Sequence, residues 1–322
     1  MHKSYFFCTF AVNMNTFGDK FAFTSFGESH SAAVGGVLDG VPAGLTIELD
    51  LIRNELLRRA GHGTPLPSPR AVSEPDEVEW LSGVMDGKTL GTPIAFIIRN
   101  AHARPEDYEI FRHHCRPAHA DRVYELKYGL RDHRGGGRAS ARETASRVVA
   151  GTVAKQILAE QGIRIEAHVT QIGTTTDPTL FEAEVKNAAA QGDSVGGIIQ
   201  CAVKGLPVGI GEPIFDKLQS HLAYAMLSIN GCKGFDYGSG FESVTQLGQE
   251  ANKVSGGISG GISDGEDLCF RVVFRPTPTT PKSVAAMGID PKKTRLRMDA
   301  CIVFRALPVV EAMTALTIVN LQ

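Results

Sequence analysis

The sequence predicts an α+β fold, a sandwich of sheets and helices in β-α-β layers that forms a single compact domain. Strand patterns and helical patterns alternate along all 322 residues, in an order that does not match the regular strand–helix winding of a parallel sheet. No low-complexity linker divides the chain. The length would fit one large domain or two small ones, and the 43% apolar content allows a large core in either case.

The individual elements follow from local patterns. Short apolar or alternating runs bounded by turn residues predict strands over residues 21–26, 34–37, 94–98, 162–172 and 196–203. Apolar residues at spacings of three and four predict helices over residues 49–59, 141–160 and 215–229. Between the first helix and the strand at 94–98, Pro65, Pro67 and Pro69 force an extended loop.

The first thirteen residues are predicted to lie outside the domain, which then spans residues 14–322. Their apolar run is too short to cross a bilayer, and no small-residue cleavage site follows it. Because Met14 is a more natural start, this extension is interpreted as an upstream initiation or a disordered tail, with a weak signal peptide as a minor alternative. No membrane segment is predicted elsewhere.

Charge and cysteine content limit the kinds of partner. The 33 basic residues nearly balance the 35 acidic ones, which argues against broad nucleic-acid binding but allows a local basic pocket for a small ligand. The six cysteines lie far apart without paired spacing, so neither a zinc site nor a disulfide framework is predicted. A reducing cytoplasm is the expected location.

The segment YGLRDHRGGGRASARET, residues 128–144, predicts an anion-binding device. Its three consecutive glycines admit positive φ and let another molecule approach the backbone. Ser140 stands three residues before Glu143, which is the capping arrangement that opens a helix, and Gly162 is the expected cap at the other end. Free amides and the positive end of the helix dipole would favour a phosphate or carboxylate there.

Arginines strengthen that prediction, because their forked donors match anions. The segment contains Arg131, Arg134, Arg138 and Arg142. The alternatives are a solvated basic loop or an RNA-contacting segment. A second glycine-rich stretch at residues 254–265 and the RPTPTT stretch at 275–280 could also line an anion site, although taken alone each is better interpreted as an ordinary turn.

Eight segments, in this order, resemble the chorismate synthase family. They are FGESH, LSGV with GTPIA, RPAHAD, the segment at 128–144, GLPVGIGEPIFDKL, SINGCKG, GGISGGISDG and RMDACIVFRALPVVEAM. The resemblance runs over nearly the whole chain, from Asn15 to about Asn320, and implies the fold of that family.

The resemblance also implies a carbon–oxygen lyase of the shikimate pathway, which leads to the aromatic amino acids. The implied reaction is the 1,4-anti elimination of phosphate from 5-enolpyruvylshikimate 3-phosphate to give chorismate. It implies reduced FMN as cofactor without net redox change, NADPH only indirectly through flavin reduction, and no metal. It further implies a homotetramer with a small-molecule substrate and neither nucleic-acid nor membrane partners.

Three catalytic residues are implied by position in the family motifs. His30 matches the acid near the substrate phosphate, His119 matches the histidine near the reduced flavin ring, and Asp299 matches the carboxylate that relays a proton from the flavin. Without that context His30 could be a turn histidine, His119 a structural one oriented by Asp121, and Asp299 a partner of Arg297.

Binding residues carry over in the same way. The implied substrate-binding residues are Arg59, Arg116 and Arg134, with Arg58 as an alternative to Arg59. The implied flavin-contacting residues are Arg138, Ala139, Ser140, Asn230, Gly231, Gly260, Arg275, Pro276, Thr277, Pro278, Thr279 and Arg297.

The sequence departs from the family pattern at several points. Ala118 stands where glycine is usual, which is tolerable if φ there is negative. Arg275 replaces lysine, and RRAGHGTPLPSPR replaces the usual turn after the first helix, which puts one substrate arginine in doubt. The chain is also shorter than the pattern between Phe241 and Gly256 and after Thr280, either because mobile loops are missing from the chain or because an active-site lid is truncated.

Two other classes of function compete with the enzyme reading. An RNA-binding module on residues 131–138 predicts affinity that falls with added salt. A metal-dependent hydrolase is suggested by a concentration of possible ligands in one third of the chain, although none has a familiar metal-ligand spacing. These are His102, His113, His114, His119, Asp121, Asp132 and His133.

Overall fold

The computed structural model describes residues 15–64, 76–294, 296 and 298–322. The predicted N-terminal extension, the loop with Pro65, Pro67 and Pro69, and Arg297 lie outside these residues. Strands in the described residues are β1 (Thr16–Phe17), β2 (Ala22–Phe26), β3 (Ala33–Asp39), β4 (Val78–Trp80), β5 (Val84–Met85), β6 (Lys88–Thr89), β7 (Ile94–Arg99), β8 (Arg164–Ile172), β9 (Gly197–Lys204), β10 (Cys232–Tyr237), β11 (Ile258–Ser259), β12 (Ile262–Ser263) and β13 (Leu268–Phe274).

Helices are fewer and differ widely in length. Those in the described residues are α1 (Leu49–Ala60), α2 (Asp121–Tyr128), α3 (Thr144–Glu160), α4 (Phe181–Ala190), α5 (Leu218–Leu227), α6 (Gly248–Ala251), α7 (Pro281–Ala285) and α8 (Val303–Leu321). The longest two, α3 and α8, have almost entirely buried residues. A helix that is apolar on all sides belongs inside a core.

Two antiparallel sheets form the outer layers. One has the strand order β1-β2-β3-β7-β4 and the other β10-β13-β9-β8. Their neighbouring strands all pair antiparallel. Separate antiparallel sheets combined with helices define an α+β fold, as predicted.

Helices α3 and α8 lie between the sheets and produce the β-α-β layering. Helix α3 packs on β3 of the first sheet and on α8, which in turn packs on β8 and β9 of the second. The two helices approach closely at Gly151, where an added Cβ would lie 2.3 Å from the Ala312 Cβ. One continuous core therefore joins both sheets.

Helix α8 is the described helix that is long and apolar enough to cross a membrane, with a mean hydropathy of 1.4. However, 83% of that stretch is buried inside the protein. Its composition is explained by its central place between α3 and the second sheet.

Most predicted elements exist with shifted ends. The helix predicted over 215–229 begins only at Leu218, because Lys217 is extended, and Phe215 is 89% exposed. The end of α3 matches the prediction: Gly162 has φ +81, and the amides of Gly162 and Ile163 donate to the carbonyls of Ala159 and Leu158. This is the Schellman arrangement that glycine favours.

The predicted helix start at Ser140 is wrong in detail. Two 3-10 turns, Gly137–Ala139 and Ala141–Glu143, precede α3, which begins at Thr144. The Ser140 hydroxyl accepts from the Arg142 amide, and Glu143 forms an ion pair with Arg147 instead of returning to the Ser140 amide. The glycines and the α-helical N-terminus are therefore separated in space.

The glycine-rich stretch at 254–265 forms the β11–β12 hairpin, which turns at Gly260 and Gly261. Between Phe241 and Gly256, the 3-10 turn Gly240–Thr245 leads into α6. Missing loops and a truncated active-site lid both stay predictions for this short stretch.

Candidate active site

A cavity of about 360 Å³ opens where six parts of the chain meet. Three of them are the C-terminal end of α1, the RPAHAD loop and the glycine-rich segment. The other three are the residues after α5, the stretch 275–279 and the start of α8. The volume lies within the range of small-molecule sites.

Positive charge dominates the cavity wall. Five cationic side chains line it, whereas Asp299 is the one carboxylate among the lining residues that the structure describes. The cations are Arg59, Lys233, Arg116, Arg275 and Arg305. Such a wall favours ligands that carry phosphate or carboxylate groups.

His119 reaches the cavity as part of a buried hydrogen-bonded group. Its Nδ1 lies 2.8 Å from Asp121 Oδ1, and Arg116 donates to both carboxylate oxygens through Nε (2.8 Å) and Nη2 (2.9 Å). Burial alone would raise the pKa of Asp121. The hydrogen bonds from Arg116 and His119 outweigh the effect of burial, so the pKa lies well below its ordinary value. Asp121 is thus a fixed anion that orients the His119 ring.

The triple glycine makes room for two histidine rings. A Cβ on Gly135 would lie 2.2 Å from His30 Nδ1, and a Cβ on Gly136 would lie 2.9 Å from His119 Cε1. Both glycines also have positive φ. The glycines therefore leave space for two side chains of the protein itself, whereas the sequence predicted that they leave space for an approaching ligand.

His30 stands at the edge of the cavity. It contacts Gly135 and packs edge-on against Tyr108, with ring centroids 4.7 Å apart, and both neighbours line the cavity. Its Nδ1 lies 3.0 Å from Ser29 Oγ. His30 and His119 come from distant parts of the sequence and both contact the same glycine-rich turn.

Arg59 and Arg58 point to different surroundings. Arg59 lines the cavity, is 2% exposed, and donates to Thr144 Oγ1 (3.2 Å), Asp76 Oδ2 (3.0 Å) and the carbonyl of Ala141 (3.2 Å). Arg58 instead pairs with Glu55 and Glu311. The geometry therefore favours Arg59 over Arg58 as a cavity residue.

Asp299 also lines the cavity. Its Oδ2 lies 2.6 Å from Arg305 Nη1, and its backbone carbonyl accepts from Thr277 Oγ1 at 2.7 Å. The alternative partner considered for Asp299, Arg297, lies outside the described residues. The pairing with Arg305 could not be inferred from the spacing alone.

Asn230 lines the cavity and contains a buried acceptor. Its Nδ2 donates to the Ala139 carbonyl at 3.1 Å, whereas its buried Oδ1 has no hydrogen-bond partner in the described structure. Gly231, Ala139 and Ser140 line the same part of the wall. A buried acceptor without a donor costs about 1–3 kcal/mol, which a ligand N–H would remove.

The four arginines of residues 128–144 bind groups of the protein instead of lining the cavity. Arg131 donates to the Phe111 carbonyl, Arg134 to Asp132, Arg138 to Ser25 and Gly27, and Arg142 to Asn100 and Asp76. Their predicted common role as anion donors is therefore not seen in this structure. They hold the surrounding loops in place.

The other predicted binding residues divide into three groups. Arg59, Arg116, Ala139, Ser140, Asn230, Gly231 and all of Arg275, Pro276, Thr277, Pro278 and Thr279 line the cavity. Arg134, Arg138 and Gly260 do not line it, and Gly260 lies at the hairpin turn between β11 and β12. Arg297 lies outside the described residues.

Tyr108, Lys233 and Arg305 are among the cavity residues that sequence reasoning missed. Lys233 belongs to SINGCKG and Arg305 to RMDACIVFRALPVVEAM, so both stand in segments that already carried the resemblance. Tyr108 had no such signal, since it lies in the 3-10 turn Pro105–Phe111.

Ala118 does not meet the condition under which it was expected to replace glycine easily. Its φ is +53, in the left-handed region that favours glycine. Its carbonyl accepts from Arg275 Nη2 at 3.0 Å, across the cavity mouth. An unfavourable backbone conformation is therefore retained directly at the site.

The metal-ligand rival gains no support from the geometry. Within residues 15–64, 76–294, 296 and 298–322, no three His, Cys, Asp or Glu side chains come together as a metal site. His119 and Asp121 meet, but with Arg116 as the third member.

Fold and site together define an α+β enzyme with a cationic small-molecule cavity. The chorismate synthase family model matches residues 21–322. The chain is 44% identical to the chorismate synthase of Christiangramia forsetii, over 95% of this chain and 96% of that protein. It is 45% identical to that of Porphyromonas gingivalis, over 95% of each chain. A crystal structure of chorismate synthase is similar with a TM-score of 0.74 and 28% identity, covering 95% of this chain and 92% of the other.

The chain belongs to the chorismate synthase family and is a lyase of that type. The two alignments extend over 345 and 351 positions, which exceeds the 322 residues of this chain. These relatives therefore contain residues that this chain lacks, in agreement with the shortened stretches noted in the sequence.

Proposed function

We propose that this protein catalyses the 1,4-anti elimination of phosphate from 5-enolpyruvylshikimate 3-phosphate to give chorismate, and that it requires reduced FMN. Membership of the family supports the reaction. The observation that carries the proposal is the cavity lined by five cationic side chains, of which Arg59, Arg116 and Arg305 are held in place by Asp76, Asp121 and Asp299. Substrate and FMN together bring two phosphates and two carboxylates, which such a wall would bind.

The residues present fit a flavin. Asn230 Oδ1 is a buried acceptor without a protein donor in the described structure, and Gly231 beside it has no side chain. Ala139, Ser140 and the stretch 275–279 would hold the cofactor together with them. When bound, the reduced flavin supplies electron density while the phosphate leaves.

His119 would hold a proton beside the flavin. Because its Nδ1 faces Asp121, the ring has a fixed orientation and Nε2 is the nitrogen left for exchange with a ligand. This arrangement suits a group that must stabilise or protonate a reduced ring.

His30 would act at the departing phosphate, and Asp299 would accept a proton. The elimination removes one hydrogen and one phosphate, so a proton acceptor and a proton or cation at the leaving oxygen are both needed. Arg59, Arg116 and Lys233 are the cations that we place near the substrate anions. Arg134, Arg138, Gly260 and Arg297 stay predictions from the family motifs.

The proposal is tested by anaerobic incubation of the protein with reduced FMN and 5-enolpyruvylshikimate 3-phosphate, following phosphate and chorismate together. We expect equal amounts of both products and no net oxidation of the flavin. Phosphate release without chorismate would identify a phosphatase and reject the proposal. The same reaction with oxidised FMN is the control and should yield neither product.

We further propose that the protein is a homotetramer in the cytoplasm and that NADPH acts only indirectly, through reduction of the flavin. The near-neutral charge and the separate cysteines support the location. Analytical ultracentrifugation tests the assembly, and a single species at the monomer mass of 34.5 kDa would contradict it.

A further inference from the structure

We propose that Arg305 is a positioning residue that sets the relative placement of Asp299 and Arg59 in the cavity wall. The inference rests on the proposed function, because it concerns the carboxylate and the arginine that face the substrate. Arg305 stands in the first turn of α8 and lines the cavity.

The Arg305 side chain joins two segments of the cavity wall. Arg305 Nη1 lies 2.6 Å from Asp299 Oδ2, and Arg305 Nε lies 3.0 Å from the backbone carbonyl of Arg59. The side chains of Arg305 and Asp299 are each only 11% exposed. The loop before α8 and the C-terminal end of α1 are therefore tied to the same rigid guanidinium plane.

Helix stability does not explain an arginine at this position. A cation in the first turn of a helix opposes the helix dipole, at a cost of about 0.3–1 kcal/mol. The first turn of α8 contains no acidic residue that would offset it. The cation is better explained by its contacts with Asp299 and Arg59.

The contact controls the carboxylate separately from its backbone. The backbone carbonyl of Asp299 is already held by Thr277 Oγ1 at 2.7 Å. The Arg59 side chain is anchored by Thr144 and Asp76. These contacts do not fix the direction of the Asp299 carboxylate or the position of the C-terminal end of α1. Arg305 fixes both through its two hydrogen bonds.

Lysine could not replace this arrangement. It carries a similar charge but has one donor nitrogen on a flexible stem, whereas arginine offers Nε and Nη1 in a fixed plane. A lysine could reach either Asp299 or the Arg59 carbonyl with defined geometry. The requirement for two simultaneous bonds distinguishes positioning from simple charge neutralisation.

The test compares Arg305→Ala and Arg305→Lys with the wild type in the full-length protein, supplied with reduced FMN. Displacing a catalytic group by about 1 Å can cost roughly 10²-fold in rate. We expect both variants to lose kcat by about that factor with a smaller change in KM. Added guanidinium ion should restore part of the kcat of Arg305→Ala, whereas methylammonium should not. Arg53→Ala, an exposed arginine of α1, is the matched control and should keep wild-type kcat.

A double variant separates positioning from an independent contribution. If Arg305 acts through Asp299, Arg305→Ala combined with Asp299→Asn should be no slower than Asp299→Asn alone. Additive losses, wild-type kcat in Arg305→Lys, or absence of guanidinium rescue would overturn the inference. Should Arg305→Ala fail to fold, Arg305→Lys and its combination with Asp299→Asn decide the matter by the same comparison.

A readout without turnover keeps this inference separate from the proposed function. Crystal structures of the wild type and Arg305→Lys should show the Asp299 carboxylate turned away from its wild-type direction while the Thr277 contact to the backbone persists. An unchanged carboxylate would reject the positioning role even if the enzyme is active. Failure of the wild type to form chorismate would reject the proposed function and leave this structural comparison valid.

Discussion

Single side chains decide the shape of the cavity at the glycine-rich turn. Gly135 and Gly136 each lie so close to a histidine ring that an added Cβ would overlap with the ring. His119 in turn is oriented by Asp121, which Arg116 holds through two hydrogen bonds. The spacing of candidate acids and bases thus depends on the absence of two methyl groups.

We predict that Gly136→Ala inactivates the protein. The added Cβ would lie 2.9 Å from His119 Cε1, and φ of +94 is itself unfavourable for alanine, costing about 1–2 kcal/mol. The ring must move, so kcat should fall by at least about tenfold. Gly129→Ala is the control, because φ there is +70 but nothing lies within 4 Å of the new Cβ. Equal kcat in the two variants would contradict this reasoning.

Ala118 offers the opposite experiment. A left-handed backbone destabilises an alanine by about 1–2 kcal/mol, and glycine avoids this cost. Glycine in turn loses about 0.5–1 kcal/mol more than alanine in conformational entropy on folding. Ala118→Gly should therefore raise the free energy of unfolding by about 0.5 kcal/mol, measured by urea denaturation. Ala183→Gly, at an exposed position inside α4, should instead lower the free energy of unfolding. A destabilised Ala118→Gly protein would show that the backbone is not strained there.

Helices and sheets are joined by one buried charged group. Glu311 of α8 accepts from Arg58 of α1, from Lys155 of α3 and from the Ala167 amide of β8. Burial raises the pKa of Glu311, but the hydrogen bond from Arg58 and the charge of Lys155 lower it below its ordinary value. This carboxylate therefore connects three helices with the second sheet.

Glu311→Gln should show a defined pH dependence. A depressed folded pKa means that the ionised form stabilises the protein above the unfolded pKa of about 4.3, and that this contribution is lost as pH falls through the folded pKa. The variant should be about 3 kcal/mol less stable than the wild type at pH 7, because two cations lose their partner. The difference should narrow below about pH 4 in urea unfolding.

Glu242→Gln is the matched control for that measurement. Glu242 pairs with Arg271 at the surface and is 72% exposed, so its loss should change stability by less than about 1 kcal/mol at pH 7. A difference between wild type and Glu311→Gln that stays constant from pH 7 to pH 3 would show that ionisation of Glu311 is not responsible.

The whole molecule is organised around helices that both sheets share. Because α3 packs on the first sheet and on α8, and α8 packs on the second, neither sheet has a core of its own. The cavity lies at one end of this arrangement, where loops from both sides converge. The site therefore depends on the complete layer structure.

Unfolding should accordingly be cooperative. Trp80, the single tryptophan, lies in β4 of the first sheet with its ring 5.8 Å from Phe96. Its fluorescence in increasing urea should change together with far-UV circular dichroism, which reports mainly on the helices. A fluorescence transition at clearly lower urea would show that the first sheet unfolds separately. Trp80→Phe provides the baseline for the fluorescence signal.

The sequence by itself determined the class of fold, the family and much of the cavity wall. Local patterns suffice for β7 or α1, because alternation and helical spacing reflect the faces that are buried. Motifs sufficed to place Asn230, His119 and Asp299 in the cavity wall, since each lies in a segment whose residue types carry the resemblance. Element ends were less accurate where turns intervene, as at Thr144.

Only the tertiary structure decided how the charged side chains are shared between scaffold and cavity. Arg58 and Arg59 are neighbours with the same chemistry, yet one binds Glu311 and the other lines the cavity, because a helix points successive side chains in different directions. The arginines of residues 128–144 are held by carbonyls and carboxylates, some of them far away in sequence, and Arg305 meets the backbone of Arg59 across 246 residues. Such partners depend on packing between distant segments, which local sequence does not encode.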